Sequence, residues 1–163
     1  MSSQGNVEPT LERLVTELGD GDATRDDADP AARTEAVVTE ASETLFEGGT
    51  LHVDDGLIKQ SLPELLLLLV GLRSTDTHGK GIMEDLSRFF GAQLSPGTVY
   101  PMLHDLEADD LLEMRELVQT KEYTIDDTEA VRGEIQAAMQ QHLALGLVFS
   151  RALDEIDTDG MDD

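Results

Sequence analysis

The apolar positions of the chain change period along its second half, and those changes divide it into elements. From Leu65 to Leu72 the residues are almost all apolar, which predicts a helix covered on every side. Ser61-Leu-Pro-Glu64 just ahead of it has the spacing of a capping box. Ile82, Met83, Leu86, Phe89 and Phe90 then recur at helical spacing, with Gly91 as the stop, and predict a helix packed on the first. A third helix follows: Ser95 can cap it, Pro96 suits its first turn, and Val99, Leu103 and Leu106 share one side. Pro101 is the awkward residue, because a proline inside a helix loses a hydrogen bond and crowds the carbonyl four residues back, here that of Gly97. The reading is a tight lead-in turn from Ser95 to Val99, then regular helix from Tyr100 to Ala108.

After Leu111 and Leu112 the helical period ends. Leu117 and Val118 are separated from Tyr123 and Ile125 by the polar Gln119-Thr120-Lys121-Glu122, which predicts a two-stranded hairpin with Lys121 at its tip. From Asp127 to Ile156 the period is helical again, with Val131, Ile135, Ala138, Met139, His142, Leu145, Phe149, Ala152 and Ile156 on one broad face. The first third of the chain carries weaker signals. Leu11, Leu14, Val15 and Leu18 predict a short helix over residues 9–18, and the acidic GDGDATRDDAD of residues 19–29 reads as a linker. Asp29 and Pro30 can start a helix through Phe46 with Val37, Ala41 and Leu45 on one side, and Thr50 to Val53 reads as a short strand. The expected organisation is an acidic extension over 1–60, a helical core with its hairpin over 61–126, a long helix over 127–156 and an acidic, frayed tail over 157–163.

Two helices and a hairpin, preceded by a buried helix, make the order of a winged helix-turn-helix. The stretches Gly81-Ile-Met-Glu-Asp-Leu86, Leu94-Ser-Pro-Gly-Thr-Val-Tyr-Pro-Met-Leu103, Leu106-Glu107 and Glu122-Tyr-Thr-Ile125 make it more specific. On those residues the chain resembles the PadR-type transcriptional regulators, over roughly Leu62 to Leu153. The resemblance implies a mainly α-helical, winged, DNA-binding regulator. It also implies a homodimer built by the helix after the wing, with Ile135, Met139, His142, Leu145, Phe149 and Ala152 along the seam. In overall size and acidity the chain is similar to the gas-vesicle activators of haloarchaea.

If Val99, Leu103 and Leu106 face the core, Thr98, Pro101, His104 and Asp105 face outward. Ser95 and Thr98 suit phosphate oxygens, and His104 can reach a base edge. Tyr100 has two equal readings, a phosphate hydrogen bond or a partly buried packing role. Lys80, Arg88, Arg115 and Lys121 are the cations near this surface. They either meet phosphates or balance neighbours such as Glu84, Glu113 and Glu122, an exposed pairing worth only ~0 to 1 kcal/mol.

Charge changes the picture most. The chain holds 35 acidic and 11 basic residues, a formal net charge of −24. The excess is spread out: 14 acids against 4 bases in residues 1–60, 12 against 5 in 61–126, and 9 against 2 in 127–163. Acidity over every segment, with only Lys59, Lys80 and Lys121 as lysines, reads as a surface adapted to a high-salt cytoplasm. At ~1 M salt the Debye length is only ~3 Å, so long-range repulsion from DNA is screened and short contacts decide. The absence of cysteine rules out disulfides and zinc-thiolate sites. His52, His78, His104 and His142 fall in four different predicted elements, and no phosphate-cradling or nucleophile motif occurs, so neither a cofactor nor an enzyme is expected. The longest apolar run, Leu65 to Val70, is far short of the ~20 residues of a membrane span. The function expected is a sequence-specific regulator bound to double-stranded DNA; the alternative is a winged module that regulates through a partner protein.

Overall fold

The computed structural model describes residues 29–45 and 51–161, with side chains as far as Ile156. The helix expected over 9–18 and the linker up to residue 28 lie outside the described residues. The elements are α1 (Ala32–Leu45), α2 (Asp55–Gln60), α3 (Leu62–Leu72), α4 (Gly79–Phe90), α5 (Pro96–Ala108), β1 (Leu112–Glu116), β2 (Lys121–Ile125) and α6 (Thr128–Met161). This is the mainly helical, winged helix fold that the periodicity predicted.

The apolar run forms the centre. Leu62, Leu66, Leu67, Leu69 and Val70 of α3 are buried against Ile82 and Leu86 of α4, Val99, Leu103 and Leu106 of α5, Leu112 and Tyr123 at the root of the wing, and Val131 of α6. Ser61 precedes α3, but its side chain does not cap the helix; its hydroxyl lies 3.3 Å from Nε2 of His142. Helix α5 runs unbroken from Pro96 through Pro101, so the expected lead-in turn is absent. The proline costs ~3 kcal/mol, whereas sinking Val99, Leu103 and Leu106 into the core contributes ~1.5 to 3 kcal/mol each, and the second effect is larger.

Two other expectations are corrected. Residues 51–53 form no strand; the chain turns instead into α2, where the backbone meets its own hydrogen bonds and Ile58 is buried. Helix α1 packs on a different face from the one its apolar residues mark. Val37 and Leu45 are exposed, whereas Ala31, Thr34 and Ser42 are buried. Its tether sets that face. The Asp29 carboxylate accepts from the Ala31 N–H at 3.0 Å and pairs with Arg88 of α4 at 2.7 Å, Glu35 reaches the same guanidinium at 3.2 Å, and the Pro30 carbonyl accepts from the Ser74 N–H at 3.1 Å.

The turn between α3 and α4 is built around Arg73. Its guanidinium pairs with Asp85 at 2.7 Å, both side chains nearly fully buried, and donates to the carbonyls of Thr75, Asp76 and Gly81 at 3.2, 3.0 and 3.1 Å. A Cβ on Gly81 would come within 2.8 Å of both that guanidinium and the Asp76 carbonyl, so only glycine fits. The wing is an antiparallel pair in the register Leu112↔Ile125 to Glu116↔Lys121, closed by a Leu117 N–H bond to the Thr120 carbonyl at 2.8 Å. A bond from the Tyr123 N–H to the Thr77 carbonyl, 2.9 Å, fastens the wing beside the start of α4.

Helix α6 is 34 residues long, a rod of ~51 Å. Val131 is buried in the core and Ile135 packs against it, but every residue from Met139 to Ile156 is exposed. Among the described residues no helix is long and apolar enough to cross a membrane.

Candidate nucleic-acid interface

With Val99, Leu103 and Leu106 turned inward, α5 presents Ser95, Thr98, Tyr100, Pro101, His104 and Asp105 outward, and all six are exposed. The Ser95 and Thr98 hydroxyls lie 3.2 Å apart at the start of the helix. His104 projects freely, its nearest acid being Glu107 at 3.9 Å. Tyr100 is partly packed against the start of α4. Its ring lies so close to the first residue of α4 that a Cβ on Gly79 would fall 2.4 Å from Cε1 and 2.6 Å from the hydroxyl oxygen, yet the residue remains 40% exposed.

The cations sort into three groups. Lys80, in the first turn of α4, and Lys121, the first residue of β2, line one cleft of about 420 Å³ together with His78, Gly79, Tyr100 and the wing tip. Lys80 and Tyr100 also border a second depression that reaches Ser95 and Pro96. Arg115 stands on the wing opposite Glu122 and borders neither. Arg88 is held by Asp29 and Glu35 and lies over the Phe89 ring, 4.7 Å from its centroid. The bond from Ala31 and then Arg88 hold the Asp29 carboxyl below its ordinary range, and Asp29 in turn raises Arg88.

Sequence reasoning passed over His78 and Gly79. His78 is the N-cap of α4, its Nδ1 accepting from the Gly81 N–H at 3.0 Å, a role that only its place before Gly79-Lys80-Gly81 hinted at. Of the residues expected along a dimer seam, Met139, Leu145, Phe149 and Ala152 are exposed. Ile135 packs on the chain's own core, and His142 is engaged with Ser61 and, at 2.7 Å, with the Ala138 carbonyl.

Residues 67–132 match the transcriptional regulator PadR-like family. The chain belongs to that family of transcriptional regulators. It is similar to the transcriptional activator GvpE1 of Halobacterium salinarum, 35% identical over 135 residues, covering 82% of this chain and 69% of the relative. It is also similar to the transcriptional activator GvpE of Haloferax mediterranei, 37% identical over 121 residues, 71% of this chain and 62% of the relative. Among solved structures, a PadR-like transcription factor from Bacteroides fragilis aligns over 62% of this chain and 94% of that one, with 22% identity and a TM-score of 0.40.

Proposed function

We propose that the protein is a sequence-specific DNA-binding transcriptional activator that acts as a homodimer in a high-salt cytoplasm. One observation carries the reading. The buried row of α5 fixes the helix on the core and leaves Ser95, Thr98, Tyr100 and His104 exposed, with Tyr100 on the side of the wing tip. The two haloarchaeal relatives, both transcriptional activators, support activation rather than repression. The winged unit over 61–126 meets DNA, the segment over 127–156 pairs the protomers through α6, and residues 1–60 and 157–163 flank them. Pairing α6 with its own copy is an isologous contact, with the same apolar patch used by both partners.

Ser95, Thr98, Lys80 and Lys121 position the protein on phosphates, while His104 reads a base edge. The test is selection of binding sites from random duplex DNA in molar potassium chloride. The parent enriches one site; Thr98→Ala weakens binding to all sequences alike; His104→Ala alters preference at one base pair, where a lost contact costs ~1 to 3 kcal/mol. A parent that enriches nothing sinks the reading. The second reading, regulation through a partner protein, would then take over. It is favoured by the exposed acids Asp105, Asp109, Asp110, Glu113 and Glu116 around the same surface.

A further inference from the structure

The outer face of α5 carries an acid where a helix that meets DNA would be expected to avoid one. Val99, Leu103 and Leu106 point inward, so with 3.6 residues per turn the line through Pro101 and Ala108 points directly away from the core. His104 and Asp105 flank that line on either side, and all four residues are exposed. Pro101 and Ala108 have no side-chain hydrogen-bonding group, which leaves His104 and Asp105 as the two polar side chains on this outermost face past the first turn. The neighbouring acid is placed differently. Glu107 is half-buried and lies 3.9 Å from Nδ1 of His104, whereas Asp105 has no ion pair and no side-chain hydrogen bond among the described residues.

A carboxylate only accepts hydrogen bonds, and phosphates repel it, so on a helix laid in a groove it is tolerated where it faces a donor. The base edges of the major groove offer two donors, the N4 amino group of cytosine and the N6 amino group of adenine. Adenine sets its N7 acceptor beside the amino group, against the second carboxylate oxygen, and guanine and thymine offer acceptors alone. Cytosine is the one base that presents a donor with no acceptor of its own in the groove. We propose that Asp105 is a specificity-determining residue, which selects a cytosine by accepting a hydrogen bond from its N4 amino group and excludes guanine and thymine by setting acceptor against acceptor. The inference rests on the DNA-binding reading and goes beyond it by naming a second base-reading residue and the base it reads. High salt makes the arrangement workable. With a Debye length of only ~3 Å at 1 M, repulsion between Asp105 and the phosphates is damped while a direct contact to a base is not.

The experiment is selection of binding sites from random duplex DNA by the full chain in molar potassium chloride, for the parent, Asp105→Asn and Asp105→Ala, followed by affinity measurements on the parent's site. The parent requires cytosine at one base pair, and another base there lowers affinity by roughly 5- to 150-fold, the range of one base contact. Asp105→Asn, whose amide both donates and accepts, moves the choice at that pair to adenine, and Asp105→Ala accepts any base there. The rest of the selected site is unchanged in both. A side chain that served only the fold or the acidic surface would alter affinity for every sequence and change no base preference. A second measurement places N4-methylcytosine at the same position, where the methyl group replaces the hydrogen directed into the major groove and leaves the base pair intact. The parent loses affinity for this duplex, and Asp105→Ala binds it as well as the unmodified one. A parent that enriches no sequence overturns the DNA reading and this assignment with it. A parent that enriches a site which both variants select unchanged overturns the assignment alone and returns Asp105 to the general acidic surface.

Discussion

At the scale of single residues, two aspartates show opposite electrostatics. Asp29 is half in solvent, and its bonds to the Ala31 N–H and to Arg88 lower its pKa, so the charged form is the favoured one. Asp85 is buried. Burial raises its pKa, with Arg73 at 2.7 Å opposing the rise, and its second oxygen has no partner. The signs of their pH dependence therefore differ. Asp29 contributes stability that is present above the ordinary carboxylate range and lost as pH falls through its lowered folded value. Asp85 costs stability as pH rises from the ordinary carboxylate range through its raised folded value, because the folded state holds the proton more tightly across that window. Removing Asp85 is not thereby harmless. Asp85→Ala leaves a buried guanidinium without its counter-charge, a loss of ~3 to 5 kcal/mol, whereas the double variant Arg73→Met with Asp85→Leu removes both charges and recovers much of it. Denaturant midpoints in molar potassium chloride measure both. If Asp85→Ala unfolds with the parent, the pair is not what secures the turn that delivers His78 and Gly79 to their cleft.

At the scale of elements, the chain announces what depends on periodicity and conceals what depends on tethering. Helix α5 and the wing were legible because the apolar period changes between Leu106 and Tyr123, and because Ser95-Pro96-Gly97-Thr98-Val99-Tyr100-Pro101 is a distinctive run. The packed face of α1 was not. Hydrophobicity marks Val37 and Leu45, yet Asp29, Pro30 and Glu35 anchor the helix so that small side chains, Ala31, Thr34 and Ser42, meet the core. Nor could the Arg73–Asp85 pair be read, since in a chain with 35 acids nearness in sequence says little about which acid a given arginine finds. The cleft was half legible: its lysines and tyrosine stood out as candidate DNA contacts, but the fit of Tyr100 over Gly79 depends on how α4 and α5 cross. The tether of α1 can be tested separately. Asp29→Asn lowers the stability of the parent slightly, by the ~0 to 1 kcal/mol expected of an exposed pair, and the melting temperature with it. Followed from pH 7 downward, the gap between parent and variant closes as pH drops below the carboxylate range, where the parent's Asp29 is also neutral. A gap that persists in acid would mean that the amide disturbs packing and that charge is not the cause.

For the whole molecule, the long helix and the net charge of −24 pull in opposite directions. Beyond its contacts with the core, α6 exposes Leu145, Phe149, Leu153 and Ile156, each more than half accessible, with Leu143 and Leu147 widening the apolar surface. Such a surface favours association with a copy of itself. Bringing two chains of −24 together opposes it, and that repulsion reaches ~10 Å at 0.1 M salt but only ~3 Å at 1 M. The proposed dimer is therefore a high-salt species, and its dissociation constant falls as potassium chloride is raised. Phe149 lies at the middle of the exposed apolar stretch. Burying its side chain from both protomers contributes ~3 to 6 kcal/mol, a factor of ~10² to 10⁴ in dimer affinity, and Phe149→Asp forfeits this while adding a charge to each side. Sedimentation at 0.1, 1 and 3 M potassium chloride separates the two effects. The parent shifts from monomer toward dimer with salt, and the variant stays monomeric throughout with an unchanged melting profile of its winged core. A variant that still dimerises at 3 M places the contact elsewhere than on α6, and a parent whose affinity ignores salt removes charge repulsion from the account.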